Sequence, residues 1–302
     1  MSRRKPPTPL TIGQHLTVAS ARMLFGAMTS AMCLTRGFHP PGWDTLRYGL
    51  HREETLDYLA VDENGPHHAP VVFIHGGGWM MGSTDAYSHD LLFLGEAGYP
   101  VFNVEYPKAP DHPHPGILQS VFSALKFIKQ TFPDIKAAHL MGDSAGGNLA
   151  VMAALKIANP ALLKTILPDL NVADVPKVLS VISLYGVMDR QTCLDGSIFG
   201  ADTMIESYAG PGALGETVDE HHAITPMDLT FKKHPPCLLI CGDADPLLVS
   251  QERYAKYLRA EGHKVTSKVY AGGIHGFFNL TDSRPKALSR QDILAFLGGL
   301  KS

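Results

Sequence analysis

The sequence predicts an α/β fold: a mostly parallel, doubly wound central sheet flanked by helices. Three observations carry that expectation. Short continuous apolar runs at Val71–Ile74, Val101–Val104, Val178–Leu184 and Cys237–Cys241 have the composition of strands buried on both faces. Segments with helical spacing fall between them, so strands and helices alternate along the chain. At 302 residues, 45% apolar and 18% charged, the chain is long enough to bury one large core.

Taken in order, residues 1–43 hold no Asp or Glu and carry Arg3, Arg4, Lys5, Arg22 and Arg36 among many Ser and Thr. This composition fits a cap over a pocket, a mitochondrial targeting peptide or a helix lying on a membrane surface. As a cap over residues 1–45, the amphipathic stretch from Leu10 to Phe38 is expected to bury Leu16, Met23, Leu24, Phe25 and Met28. His15, Arg22 and Arg36 interrupt it, so no run of about 20 apolar residues spans a membrane. Gln14, His15 and Arg22 likewise break the core of a secretory signal.

Thr55–Val61 alternates as an edge strand and Asp62–Pro66 is a turn. Val71–Ile74 runs straight into His75-Gly76-Gly77-Gly78-Trp79, and Val101–Val104 is the next strand. Pro115–Phe132 is a helix, with Ile117, Val121, Leu125, Ile128 and Phe132 on one stripe. Ala137–Met141 is a short apolar lead into a turn, after which Leu149–Leu155 reads as a buried helix. Val178–Leu184 and Cys237–Cys241 are buried strands, Leu247–Ala260 a helix, Val265–Tyr270 a strand and Lys286–Leu300 a closing helix. Between Tyr185 and Pro235 the alternation breaks for about fifty residues, too long for a plain connection. Residues 186–235 are therefore expected to form an inserted cap, leaving 46–185 and 236–302 as the core.

The chemistry is expected at Gly142-Asp143-Ser144-Ala145-Gly146, the Gly-x-Ser-x-Gly pattern of a nucleophile elbow. A strand, a one-residue bend and a helix would push the Ser144 hydroxyl out above the sheet. Side chains at 142 and 146 would collide with neighbouring backbone. A serine hydroxyl needs a base, usually a histidine oriented by a carboxylate. In sheets of this type serine, acid and histidine follow in that chain order, each at a strand's C-terminal end. Asp243 and Asp245 leave the strand ending near Cys241, and His275 follows the strand ending at Tyr270. Either aspartate could instead cap the helix that begins near Pro246. The glycine run after His75 would point backbone N–H groups at a developing oxyanion, with the Ala145 N–H as the other donor. Trp79 and Asp143, beside the glycine run and the serine, are expected to contact substrate.

His75-Gly-Gly-Gly78, Gly142-Asp-Ser-Ala-Gly-Gly147, Asp245-Pro-Leu247 and His275-Gly-Phe277 together resemble the hormone-sensitive-lipase-like branch of the α/β-hydrolases. Tyr106-Pro-Lys-Ala-Pro-Asp-His-Pro-His-Pro115 is similar to that family's Tyr-Arg-Leu-Ala-Pro-Glu-His-Pro-Phe-Pro run. The resemblance covers roughly residues 55–300. It implies an α/β-hydrolase fold, Gly77, Gly78 and Ala145 as the oxyanion hole, and Asp245 rather than Asp243 as the acid. It further implies a serine carboxylesterase of short- to medium-chain acyl esters, with an arylformamidase-type amide hydrolase as the alternative and a ligand receptor on the same scaffold as a more distant one. A homodimer paired through the last strand and helix is also implied. Pro107 replaces the usual Arg, which removes an expected ion pair, and the cap segments match no known pattern.

A formal charge of −3 gives no reason to expect nucleic acid as a partner. Cys237 and Cys241, about 13 Å apart along one strand, are too distant for a disulfide, and a reducing, cytoplasmic setting is the expectation. His112 and His114 sit among prolines, a poor frame for a metal. The expected chemistry needs no metal or organic cofactor.

Overall fold

The computed structural model describes residues 10–36, 40–62, 68–198, 200–219, 222–280 and 282–300. Arg3, Arg4, Lys5, Phe38 and most of the Asp62–Pro66 turn lie outside the described residues. The strands are β1 (Trp43–Arg47), β2 (Thr55–Leu59), β3 (Val71–Ile74), β4 (Val101–Val104), β5 (Ala137–Asp143), β6 (Lys177–Leu184), β7 (Cys237–Gly242) and β8 (Val265–Tyr270). They form one sheet in the order β1-β2-β4-β3-β5-β6-β7-β8. β1 and β2 join antiparallel, as do β2 and β4; every other pairing is parallel.

The helices are α1 (Ile12–Arg36), α2 (Leu92–Glu96), α3 (Gly116–Thr131), α4 (Ala145–Ala158), α5 (Pro160–Lys164), α6 (Arg190–Thr192), α7 (Ala201–Ala209), α8 (Leu248–Ala260), α9 (Phe277–Leu280) and α10 (Arg284–Gly299). Successive residues of a strand point to opposite faces. Val72, Ile74, Leu140, Val181 and Leu239 accordingly join the core that contains α3, α4 and α8. Val71, Phe73, Met141, Ile182 and Ile240 join the core on the other face, with α9 and α10. Two buried faces explain why the central strands read as unbroken apolar runs rather than as alternations.

Two expectations change. Thr55–Leu59 is not the edge, because β1 pairs outside it, from Trp43↔Leu59 to Arg47↔Thr55. In β1 only Trp43 is buried, so the strand leaves almost no apolar signature; it also starts inside the segment expected to end at residue 45. The second change concerns α1. Leu16, Met23 and Leu24 do not pack inward: with Ile12 and Leu34 they are 64–81% exposed. The helix seats itself instead through buried Val18, through Gln14 donating to Glu206 of α7, and through Arg22. Arg22 donates to Met80 O at 2.9 Å and Ala109 O at 2.7 Å and pairs with Asp111 at 3.3 Å. Phe25 is half-buried, and the Met28 side chain lies outside the described residues.

The 186–235 stretch is ordered around one buried guanidinium. Arg190 donates to the carbonyls of Ala213 and Gly215, both at 2.7 Å, and lies 3.4 Å from the Asp228 carboxylate. Asn148 of α4 ties both ends of this stretch to the core, donating to Val187 O and Ile224 O at 2.8 Å each. No helix among the described residues is long and apolar enough to cross a membrane.

Candidate active site

β5 ends at Asp143, and Ser144 turns the chain into α4 at φ 49°, ψ −122°. A positive φ on a non-glycine residue is strained and survives only where its surroundings impose it. Here they do: the Ser144 N–H donates to Leu184 O at 2.8 Å, and the backbone on both sides is in tight contact. A Cβ on Gly146 would lie 2.0 Å from Ile74 O, and one on Gly142 would lie 2.4 Å from Gly146 O. No side chain fits either gap, so the elbow requires both glycines.

The loops after β7 and β8 bring two more groups to Ser144. His275 Nε2 lies 3.0 Å from Ser144 Oγ. His275 Nδ1 lies 2.9 Å and 3.1 Å from the two Asp245 carboxylate oxygens. The Asp245 side chain is fully buried and also accepts the Leu247 N–H at 2.8 Å, so it fixes the turn that leads into α8 while holding the imidazole. Asp243 does neither: it accepts the Gly272 N–H at 2.8 Å and ties the two loops together.

On the other side of Ser144 lies the loop after β3. Gly77 and Gly78 adopt φ +119° and +58°, and neither N–H has a protein acceptor among the described residues. Ala145 is the first residue of α4, so its N–H has no intrahelical partner either. Three donors beside a serine–histidine–aspartate chain form the constellation that acyl transfer requires.

Residues 71–279 match the family model of the alpha/beta hydrolase fold. The chain belongs to the α/β-hydrolase family. Within it, the chain stands in the hormone-sensitive-lipase-like branch. It is 25% identical over 244 residues to lipase 2 of Moraxella sp. strain TA144, covering 70% of this chain and 55% of that enzyme. It is 27% identical over 231 residues to carboxylesterase NlhH of Mycobacterium tuberculosis, covering 72% of this chain and 69% of the relative. Among solved structures it is similar to esterase B of Lactobacillus rhamnosis, at TM-score 0.78 and 20% identity with 96% of each chain covered.

The α/β-hydrolase elbow is backed by a network that sequence reasoning missed. Asp143, expected to meet substrate, is buried and accepts the Gly76 N–H at 2.6 Å and the Tyr87 hydroxyl at 2.9 Å. It thereby pins the loop after β3 to the elbow. Burial pushes its carboxyl up to about 6, against the pull of those two hydrogen bonds. Trp79, also expected at substrate, is buried with its ring stacked on Tyr208 of α7 at 4.7 Å and 7°; its indole N–H has no partner among the described residues.

His75 is stacked on Tyr106 at 4.4 Å, and its ring nitrogens face Gly76 O at 2.7 Å and Glu105 at 3.1 Å. Glu105 also accepts the N–H groups of Thr84 and Tyr106 and pairs with Lys108. Burial raises the Glu105 carboxyl, but His75 and Lys108 more than reverse this and hold it at about 2. Next to Pro107, which stands where the family has Arg, Lys108 supplies the cation that pairs Glu105. Tyr185, at φ 40° at the end of β6, sets its ring edge-on to His275 at 4.9 Å. A residue of positive φ offers no signal in a sequence unless it is glycine.

The insert closes over this loop: a Cβ on Gly78 would lie 2.8 Å from Met204 Sδ of α7. A separate cavity of about 560 Å³ lies beneath α1, bounded by Arg22, Phe25, Met81, Lys108 and His112; none of Ser144, Asp245 and His275 lines it. Among the described residues no cluster of metal-ligating side chains occurs, His112 and His114 included.

Proposed function

We propose that the protein is a serine carboxylesterase acting on small acyl esters. His275 Nε2 takes the Ser144 proton as the oxygen attacks the ester carbonyl. Asp245 accepts the Nδ1–H, fixes the tautomer and stabilises the imidazolium that forms. The developing oxyanion accepts hydrogen bonds from the N–H groups of Gly77, Gly78 and Ala145. The tetrahedral adduct collapses as His275 protonates the departing alkoxide, leaving acyl-Ser144 and free alcohol. Water then attacks the acyl group while His275 takes its proton, and the second collapse releases the acid and returns that proton to Ser144 Oγ. No step requires a metal or an organic cofactor.

The observation that carries this reading is the unbroken chain from Ser144 Oγ through His275 to buried Asp245, at 3.0 and 2.9 Å. Residues 186–235 act as the cap in this proposal, with α1 completing the roof by holding Glu206 of α7 and Met80. Met204, over Gly78, limits the room beside the reacting carbonyl and favours short to medium acyl chains. As partners we propose a small ester and, through the open edge strand β8 and α10, a second copy of the chain.

A fluorophosphonate probe tests the proposal, since only an activated serine labels rapidly. Rapid labelling of the wild type, lost in both Ser144→Ala and His275→Ala, is expected, together with turnover of p-nitrophenyl acetate and butyrate. A wild type that resists the probe would overturn the mechanism. Faster turnover of N-formylkynurenine than of any ester would move the assignment to amide hydrolysis.

A further inference from the structure

We propose that α1 docks the protein on an anionic lipid surface through its outward face. Ile12, Leu16, Met23 and Leu34 are each at least 64% exposed. At about 100° per residue they fall within about 40° of one another, a single stripe along the helix. Gln14, Val18 and Phe25 lie on the opposite side and Arg22 on the flank, and together they hold α1 to the body of the protein. The seating and the exposed stripe are therefore separate faces of one amphipathic helix. Its inward side holds buried Val18 and bonded Gln14, and its outward side is apolar and left exposed among the described residues. Four large apolar side chains aligned on a surface helix are unusual for a face that meets only water.

Charge selects the occupant. No acidic residue occurs anywhere in residues 1–43, and Arg3, Arg4 and Lys5 stand a few positions before the stripe begins. An apolar stripe on a segment that carries cations and no anion of its own, with Arg22 pairing the Asp111 carboxylate beside it, fits the boundary between headgroups and acyl chains of an anionic leaflet. Two signals of this kind together give a stability of attachment that neither gives alone. A second copy of the chain fits less well, because self-pairing along α1 would bring two acid-free basic segments side by side. The helix lies on the surface in this arrangement and does not cross it, consistent with its mean hydropathy and its interruption by Arg22.

The test is co-sedimentation of the full chain with vesicles of phosphatidylcholine alone or mixed with phosphatidylglycerol, read without any activity measurement. The outcome is thus independent of the esterase proposal. The wild type is expected to sediment with the phosphatidylglycerol vesicles, to stay in solution with phosphatidylcholine alone, and to be released as salt rises. Leu16→Ser with Met23→Ser is expected to lower the bound-to-free ratio at least about tenfold. Because both side chains face solvent, its circular dichroism and thermal unfolding are expected to match the wild type. Arg3→Ser, Arg4→Ser and Lys5→Ser together are expected to reduce binding to the phosphatidylcholine level. Wild-type protein that stays in the supernatant, equal binding to both vesicles, or undiminished binding by the Leu16/Met23 variant would each overturn the proposal. So would a vesicle-free dimer that this variant dissolves, which would show a second copy on the same face.

Discussion

The two sides of Ser144 are built in opposite ways. On the β7–β8 side, the groups proposed to react are three side chains with little behind them: Asp245 holds His275, His275 faces Ser144, and Tyr185 backs the imidazole. On the β3–β4 side, the groups that would act are backbone N–H donors, which have no side chains to hold them in place. A buried network does it instead, running from Asp143 and Tyr87 through Gly76 and His75 to Glu105, Lys108 and Tyr106. Arg22 of α1 fastens the far end of the same loop at Met80. Side-chain chemistry can be positioned by the side chains that perform it. Backbone chemistry needs a second layer, and that layer carries most of the buried charge in this site.

The largest effects are expected where the acting group is itself a side chain. Ser144→Ala and His275→Ala should each lower kcat by roughly 10⁴- to 10⁶-fold, and Asp245→Asn by about 10³- to 10⁴-fold, because an amide favours the wrong imidazole tautomer. Asp243→Asn, which only loosens the contact to Gly272, should stay within about tenfold of wild type. Steady-state kinetics on a p-nitrophenyl ester would read all four, and a larger loss in the Asp243 variant would reverse the assignment of the acid.

On the network side the losses should be intermediate and indirect. Tyr87→Phe and Glu105→Gln shift the oxyanion loop without removing a donor, so each should lower kcat and kcat/KM together by about 10- to 100-fold with KM little changed. An unchanged kcat in both variants would mean that the loop holds its geometry without them.

The two buried carboxylates also give opposite pH signatures in thermal unfolding. Glu105 is held at about 2, below its ordinary 4.5, so its ionised form stabilises the fold above about pH 4.5 and that stability is lost as pH falls through 2. The stability gap between wild type and Glu105→Gln, on the order of 2–3 kcal/mol, should close as pH falls from about 4.5 to about 2. Asp143 is raised from 3.8 to about 6, so its contribution is present below 3.8 and is lost as pH rises through 6. Asp143→Asn should accordingly gain on wild type between about pH 4 and 6. Parallel pH trends in the two variants would contradict the opposed environments.

The smallest effect is expected in the cap. Met204→Ala opens space over Gly78 and should raise kcat/KM for longer acyl esters several-fold relative to acetate. An unchanged chain-length profile would place the acyl chain elsewhere.

Much of this was legible in the sequence, for reasons that differ by element. Strands such as Val71–Ile74 and Cys237–Cys241 were readable because burial on both faces demands unbroken apolar runs. Ser144, Asp245 and His275 were readable because their chemistry admits few residue types and the sheet imposes an order. Strand β1 was not, because an edge with one buried residue needs no pattern. Asp143 and Trp79 were assigned to substrate from their positions in motifs, whereas their roles depend on Gly76, Tyr87 and Tyr208, residues up to 129 positions away in the chain.

By itself, then, the sequence determined the alternation of strands and helices, the glycines that the elbow and the oxyanion loop require, and the chain order of the reacting groups. Each of these follows from local steric or chemical demands that restrict residue type. Only the tertiary structure decided which cation serves Glu105 and which face of α1 turns inward. A carboxylate, a lysine or an amphipathic helix can satisfy its local rules in several ways. The choice falls to whichever neighbours the fold brings within hydrogen-bond distance: Lys108 for Glu105, and the Met80 and Ala109 carbonyls for Arg22.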